Sequence, residues 1–257
     1  MTMTTFASLV PDVAISAAGC PDPVIEGYLR KSAIRTCERT HYWRAMLPEM
    51  TLTPGVWTYR FAGMPDQSEV FTLMGATLNG MKLHIVAPDV FVCCFPQWSE
   101  TAVNTEEVTV EFDDAVYNMP EYDDDTLYNS VLGAATRIVT VETGSQPQYV
   151  SRLNPCEFIM LPKPDDENIY KVRPYVVLRP TKTAVGMDDC ILGDLSEAIV
   201  HGALQELLLV PGAHWTDRDL AAYHAKQYTF KATERRARGN LGFSRGALIA
   251  HPQFFGV

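Results

Sequence analysis

The sequence predicts an α+β protein: a helical core built from an N-terminal helix and a C-terminal helical hairpin, with a large antiparallel β domain inserted between them and an extended C-terminal arm. Three observations predict it. Apolar residues recur at helical spacing near both ends of the chain, the middle breaks into short alternating runs punctuated by Pro, Gly, Asn and Asp, and the last residues lose all periodicity. With 257 residues, 47% hydrophobic and 20% charged, the chain can bury a core without a metal or disulfide staple.

Taken in order, residues 1–50 hold an N-terminal segment and the first helix. Asp22-Pro23 supplies a side-chain cap followed by the helical position at which proline is tolerated. Ile25, Leu29, Ala33, Cys37 and Trp43 then set an apolar stripe, which predicts a helix over 23–46, stopped by Pro48 and the Thr53-Pro54-Gly55 turn. Residues 51–190 read as β-rich: VWTYRFA, EVFTLM, KLHIVA, EVTVEF, TRIVTVE, EFIML and YVVLR carry β-branched and aromatic residues between turn signals. Asn79-Gly80 is the clearest hairpin turn. Residues 191–238 return to helix. Leu195, Ile199, Ala203 and Leu207 recur every four from a start at Leu192, and Pro211-Gly212 stops the run. Thr216-Asp217-Arg218-Asp219 resembles a capping box for a third helix carrying Leu220, Ala221, His224, Tyr228 and Ala232. The short connection makes these two helices an antiparallel hairpin. Ile25, Leu29, Ala33, Ile199, Ala203, Leu207, Leu220 and Ala221 are expected to share one helical core, because none of the three stripes can be buried alone. Residues 239–257 form the arm, with Gly239, Gly242 and Gly246 as hinges.

The charge balance narrows the function. Twenty-one basic and 31 acidic residues give a formal charge of −10, which disfavours ordinary binding to nucleic-acid phosphates. Residues 100–125 hold ten acids, among them Glu106, Glu107, Glu111, Asp113, Asp114, Asp123, Asp124 and Asp125, and no Lys or Arg. Such a run is a solvated face, or a surface that repels phosphate or meets a basic partner. Conversely, residues 226–245 carry Lys226, Lys231, Arg235, Arg236, Arg238 and Arg245 against the single acid Glu234. Part of that excess complements a helix C-terminus. The rest, followed by ALIAHPQFFGV, reads as a docking arm with Phe254 and Phe255 as its anchors. The six cysteines are scattered without a CxxC, and the N-terminus lacks the basic start of a signal peptide, so a reducing cytoplasm and no membrane association are expected.

Catalytic chemistry is nearly present but incomplete. Gly242-Phe243-Ser244-Arg245-Gly246 matches the nucleophile-elbow pattern, yet it follows a helix and precedes a stretch with His251 and no acid, so a glycine-bounded loop is the better reading. His201, His214 and His224 can meet across the hairpin, but their spacing fits no ligand motif, and a hydrogen-bonded, partly buried histidine is the expectation. Adjacent Cys93 and Cys94 point to opposite faces of a strand, which favours burial over redox work. Asp123-Asp124-Asp125 lacks the calcium-loop pattern. No catalytic residue, metal ligand or cofactor is expected.

Four stretches, in this order, resemble the head-to-tail connector (adaptor) proteins of tailed bacteriophages, the tail tubular A type among them. They are CPDPVIEGYLRKSAIRTCERTHYWR, FIMLPKPDDENIYKVRPYVVLRPT, EAIVHGALQELLLVPGAHW and DRDLAAYHAKQYTFKATERRARG, about a third of the chain. The resemblance implies a structural virion protein of the neck or tail, assembled in the host cytoplasm. It implies a ring of copies, usually twelve, beneath the portal, extending the DNA channel and joining capsid to tail, with DNA passing through without specific binding. It also implies that the arm reaches the portal, with Arg235, Arg236, Arg238 and Arg245 meeting acidic surface and Phe254 and Phe255 filling pockets. The acidic stretch then lines the lumen or faces a basic neighbour on the outer wall. The alternatives are another phage neck, tail-tube or baseplate protein, or a soluble enzyme with an unrecognised site.

Overall fold

The computed structural model describes residues 2–87, 146–166 and 168–241. Helices and mostly antiparallel sheets make it an α+β protein, and the chain divides into two units. One takes the described residues of Met1–Pro48, Phe61–Met74 and Pro174–Val257; the other takes those of Glu49–Arg60 and Gly75–Arg173. These units do not follow the linear bounds expected at 50/51 and 190/191, since residues 61–74 and 174–190 group with the helices. The cause is two long strands, β5 (Ser68–Leu78) and β10 (Lys171–Pro180), whose halves fall in different units.

The first unit opens with β1 (Met3–Thr5), a 3₁₀ turn (Phe6–Leu9) and the short α1 (Val10–Ala14). β1 pairs antiparallel with β11 (Gly186–Asp188), aligning Met3 with Asp188. Helix α2 spans Asp22–Thr40. Asp22 does not cap it: extended Pro21 precedes the helix, and Asp22 and Pro23 form its first turn, where an acid complements the dipole. Nor does α2 reach residue 46. His41 adopts the left-handed conformation (φ 51°) and donates its N–H to the Cys37 carbonyl at 2.9 Å, a helix-terminating turn. The next residues pair instead as β2 (Arg44–Met46), with Ala45 opposite Val176 of β10, and this sheet pairing overrides the helical period.

Helix α3 (Asp189–Leu207) starts three residues before the expected Leu192, because Asp188 accepts a hydrogen bond from the Cys190 N–H at 3.1 Å. Helix α4 (Arg218–Leu241) is capped by Asp217, whose carboxylate accepts from the N–H groups of Asp219 (3.0 Å) and Leu220 (2.9 Å). The hydroxyl of Thr216, the expected cap, bonds the Val210 carbonyl instead. Helices α2, α3 and α4 pack on one another. Of the eight expected core positions, Ile25, Leu29, Ala33, Ile199, Ala203, Leu207 and Ala221 are buried, whereas Leu220 in the first turn of α4 is half-buried. Hydroxyls share this interior: Ser32 and Thr40 are both buried, Ser32 donating to the Ile199 carbonyl and Thr40 to the Thr36 carbonyl, each at 2.7 Å. Arg179 of β10 ties α2 to β5, pairing with Glu38 and, at 2.8 Å, with Glu69.

In the second unit, β4 (Thr58–Arg60), β9 (Glu157–Leu161), β8 (Tyr149–Asn154) and β7 (His84–Ile85) form a sheet in that order. The wholly antiparallel reading is corrected at one pair, because β7 runs parallel to β8. The run KLHIVA, expected as one strand, is divided: β6 (Met81–Lys82) returns on β5, and β7 joins the other sheet. Asn79 (φ 49°) and Gly80 (φ 85°) make the β5–β6 turn, whose positive φ values this residue pair tolerates. β3 (Met50–Thr51) pairs with the first residues of β10. Ile159 and Leu161 anchor a small core covered by Trp57, Val86 and Tyr149. The expected strands over 107–112 and 136–142 lie outside the described residues.

Candidate docking surface at the end of α4

The basic C-terminal end of α4 is held by the segment that follows α2. Gly239, expected as a hinge, is instead helical and buried against Tyr42, where an added Cβ would meet the ring at 3.2 Å. α4 accordingly runs on to Leu241, beyond the expected start of the arm at 239. The buried Tyr42 phenol donates to Asp194 at 2.8 Å. Burial, reinforced by the Asp194 carboxylate and only partly offset by Arg238 and Arg235, pushes its pKa up to about 12, so it stays a neutral donor. Arg44 is clamped between the His41 carbonyl (2.8 Å) and the Asn240 side chain (2.6 Å). Burial, and then the charges of Arg236 and Arg44, hold His41 below its ordinary value and keep it neutral.

Arg235, Arg236 and Arg238 are thus brought to one helix end, but they do not play equal parts. Arg235 is largely covered and lies 3.9 Å from Asp194, whereas Arg236 and Arg238 are exposed. The helix end is cationic, with two exposed guanidinium groups on a braced backbone, a chemistry that pairs with carboxylates. Tyr42, Arg44, Asp194 and Asn240 were not singled out from sequence, because Tyr42 and Arg44 fell inside the overextended helix. His41, in the left-handed region directly after α2, marks the true end.

The other residues expected to dock, Arg245, Phe254 and Phe255, lie outside the described residues, as does every acid between 100 and 125, including Glu106, Glu107, Glu111, Asp113, Asp114, Asp123, Asp124 and Asp125. The Ser244 motif and Cys93-Cys94 lie outside them too. His201 and His224 do meet across α3 and α4, Nδ1 to Nδ1 at 2.9 Å, while His214 packs on Trp215 and beside Gly19. Among the described residues no group of three or more His, Cys, Asp or Glu side chains is placed to hold a metal ion. Among them, too, no helix is long and apolar enough to cross a membrane. No protein-family model matches this chain, and no curated protein matches it.

Proposed function

We propose that this chain is a structural virion protein, a head-to-tail connector that forms a ring under a phage portal, extends the DNA channel and joins capsid to tail. In this reading α2 with the α3–α4 hairpin is the ring-forming helical core, the intervening β strands are an insertion, and residues 242–257 are an arm that docks on the portal. The observation that carries it is the braced cationic end of α4. Tyr42–Asp194 and Arg44–Asn240 brace that helix end, and Arg236 and Arg238 stand exposed on it. Exposed charges of this kind orient and speed an encounter, while aromatics that enter a partner's pockets, the role proposed for Phe254 and Phe255, slow release. The acidic excess fits a channel that lets DNA pass, since each phosphate neutralised would add sequence-independent affinity. The stretch 100–125 is assigned to the outer or lower rim, where symmetry copies are less crowded than in the lumen. No catalytic step or cofactor enters this role.

The test is deletion of residues 247–257. The truncated chain should stay folded and soluble yet fail to join portal-bearing capsids. Unchanged occupancy on those capsids would remove the arm as anchor.

A further inference from the structure

The Nδ1 atoms of His201 and His224 are 2.9 Å apart, with ring centroids 5.1 Å apart and planes inclined by 35°. At that separation one proton lies between them, so one ring donates and the other accepts. His224 is 6% exposed, and its Nε2 is buried without a hydrogen-bond partner. His201 is half-buried and lines a surface hollow with Asp12, Ser196, Glu197, Val200 and Lys231. A proton on the sealed Nε2 would be a donor with nothing to accept it. The neutral pair therefore has His224 donating Nδ1–H to Nδ1 of His201, with the second N–H on Nε2 of the more exposed ring.

We propose that this histidine pair is an acid-sensitive clasp, which holds α4 to α3 at neutral pH and releases that level of the hairpin when it takes up protons. One added proton places an N–H on the buried, unpartnered Nε2 of His224. A second puts an N–H on both facing Nδ1 atoms, which then cannot remain 2.9 Å apart. The surrounding charges do not rescue the protonated forms. Glu197 lies one turn before His201 on α3 and favours a charge there, but it is ion-paired at 2.7 Å with Lys231 of α4, which opposes it. From α1, exposed Asp12 lines the open hollow on the His201 side. Tyr223 of α4 sets its ring edge-on to His224, with centroids 5.3 Å apart. From α2, Arg35 and Arg39 lie over the Tyr228 ring, and Arg35 pairs with Glu206 at 2.5 Å. Burial dominates, and both histidines are held below their ordinary value of 6.5.

The sign follows from proton uptake. Above pH 6.5 closed and open hairpins are both neutral, and the clasp contributes fully. As pH falls below that value, the open form binds protons that the closed form refuses. The open population then grows by up to about tenfold per pH unit for one proton and about a hundredfold for both, until the closed-state values are reached. This behaviour is independent of what the chain assembles with.

Amide hydrogen exchange on the full chain, corrected for intrinsic rate, tests it at pH 7.5 and 5.5. Protection around residues 201 and 224 should fall at least tenfold on acidification. His224→Gln keeps an N–H donor towards His201 without titrating, and it should abolish most of that fall. Undiminished protection in the native chain, or an equal fall in the variant, overturns the proposal. Should His224→Gln fail to fold, His201→Gln removes one of the two titrating rings, and a fall as large as in the native chain is then the overturning result. Ring nitrogen NMR adds a direct reading: His224 should carry its proton on Nδ1, and ordinary titration of both rings near 6.5 would contradict the clasp.

Discussion

Replacing Gly202 by alanine probes a point where the three helices meet. Gly202 lies within α3, so on an isolated helix the change would stabilise by about 1 kcal/mol. Here the new methyl would overlap the Ser32 hydroxyl of α2 and press on the Tyr228 ring of α4, at 3.0 Å from Cδ2 and 3.1 Å from Cε2. Ser32 is fully buried and donates to the Ile199 carbonyl at 2.7 Å, so moving its hydroxyl strands a buried polar group, a loss of about 1–3 kcal/mol. Crowding the Tyr228 ring adds about 1–3 kcal/mol. The net expectation is a destabilisation of about 1–5 kcal/mol, read as a lower urea midpoint with an unchanged slope. Ser32→Ala removes the atom that is struck. The double variant Ser32→Ala/Gly202→Ala should therefore be more stable than the sum of the two single changes implies. Gly202→Ala as stable as the native chain, or strict additivity with Ser32→Ala, would refute this packing.

Leu207→Ala removes a fully buried side chain of α3 and should cost roughly 2–5 kcal/mol in the same urea titration. Stability should also decline at alkaline pH. Burial pushes Cys37 up to about 12 from 9.0, and Tyr42 and Tyr59 up to about 12 from 10.0, so the native state keeps protons that the unfolded chain releases. The melting temperature should hold below pH 9 and fall steadily from 9 towards 12, and Cys37→Ala should reduce the loss between pH 9 and 10, leaving there the smaller part that the raised Cys20 thiol contributes. Native thiol labelling followed by peptide mapping should modify exposed Cys156 and Cys190 and spare Cys37, and early labelling of Cys37 would contradict its burial. Arg179→Met leaves Glu38 and Glu69 without the guanidinium between them, so it should lower the urea midpoint, and an unchanged midpoint would contradict the tie between α2 and β5.

The α+β class was legible because helical and alternating periods are local properties of the chain. Burial of Leu195, Ile199, Ala203 and Leu207 follows from spacing alone. What escaped depends on partners distant in sequence. Tyr42 and Trp43 extend the apolar pattern of α2, yet both are buried beyond its end, where Trp43 accepts the Leu178 N–H at 2.7 Å. The parallel pairing of His84 with Tyr149 joins residues on either side of a long intervening segment, and no local period encodes it. At the α4 surface, charge revealed Arg236 and Arg238. It could not show that Arg235 faces Asp194, or that Gly239 serves contact with Tyr42 rather than flexibility. The histidines show the same limit, since sequence brought three to the hairpin and geometry pairs only two of them.

The connector reading is tested most directly by electron microscopy of the full chain mixed with assembled portal rings. The account predicts a second ring of this chain stacked coaxially on the portal, with the C-terminal end of α4 at the contact. Portal rings left bare, with the 257-residue chain remaining a separate monomer at concentrations well above those used for portal assembly, would contradict it.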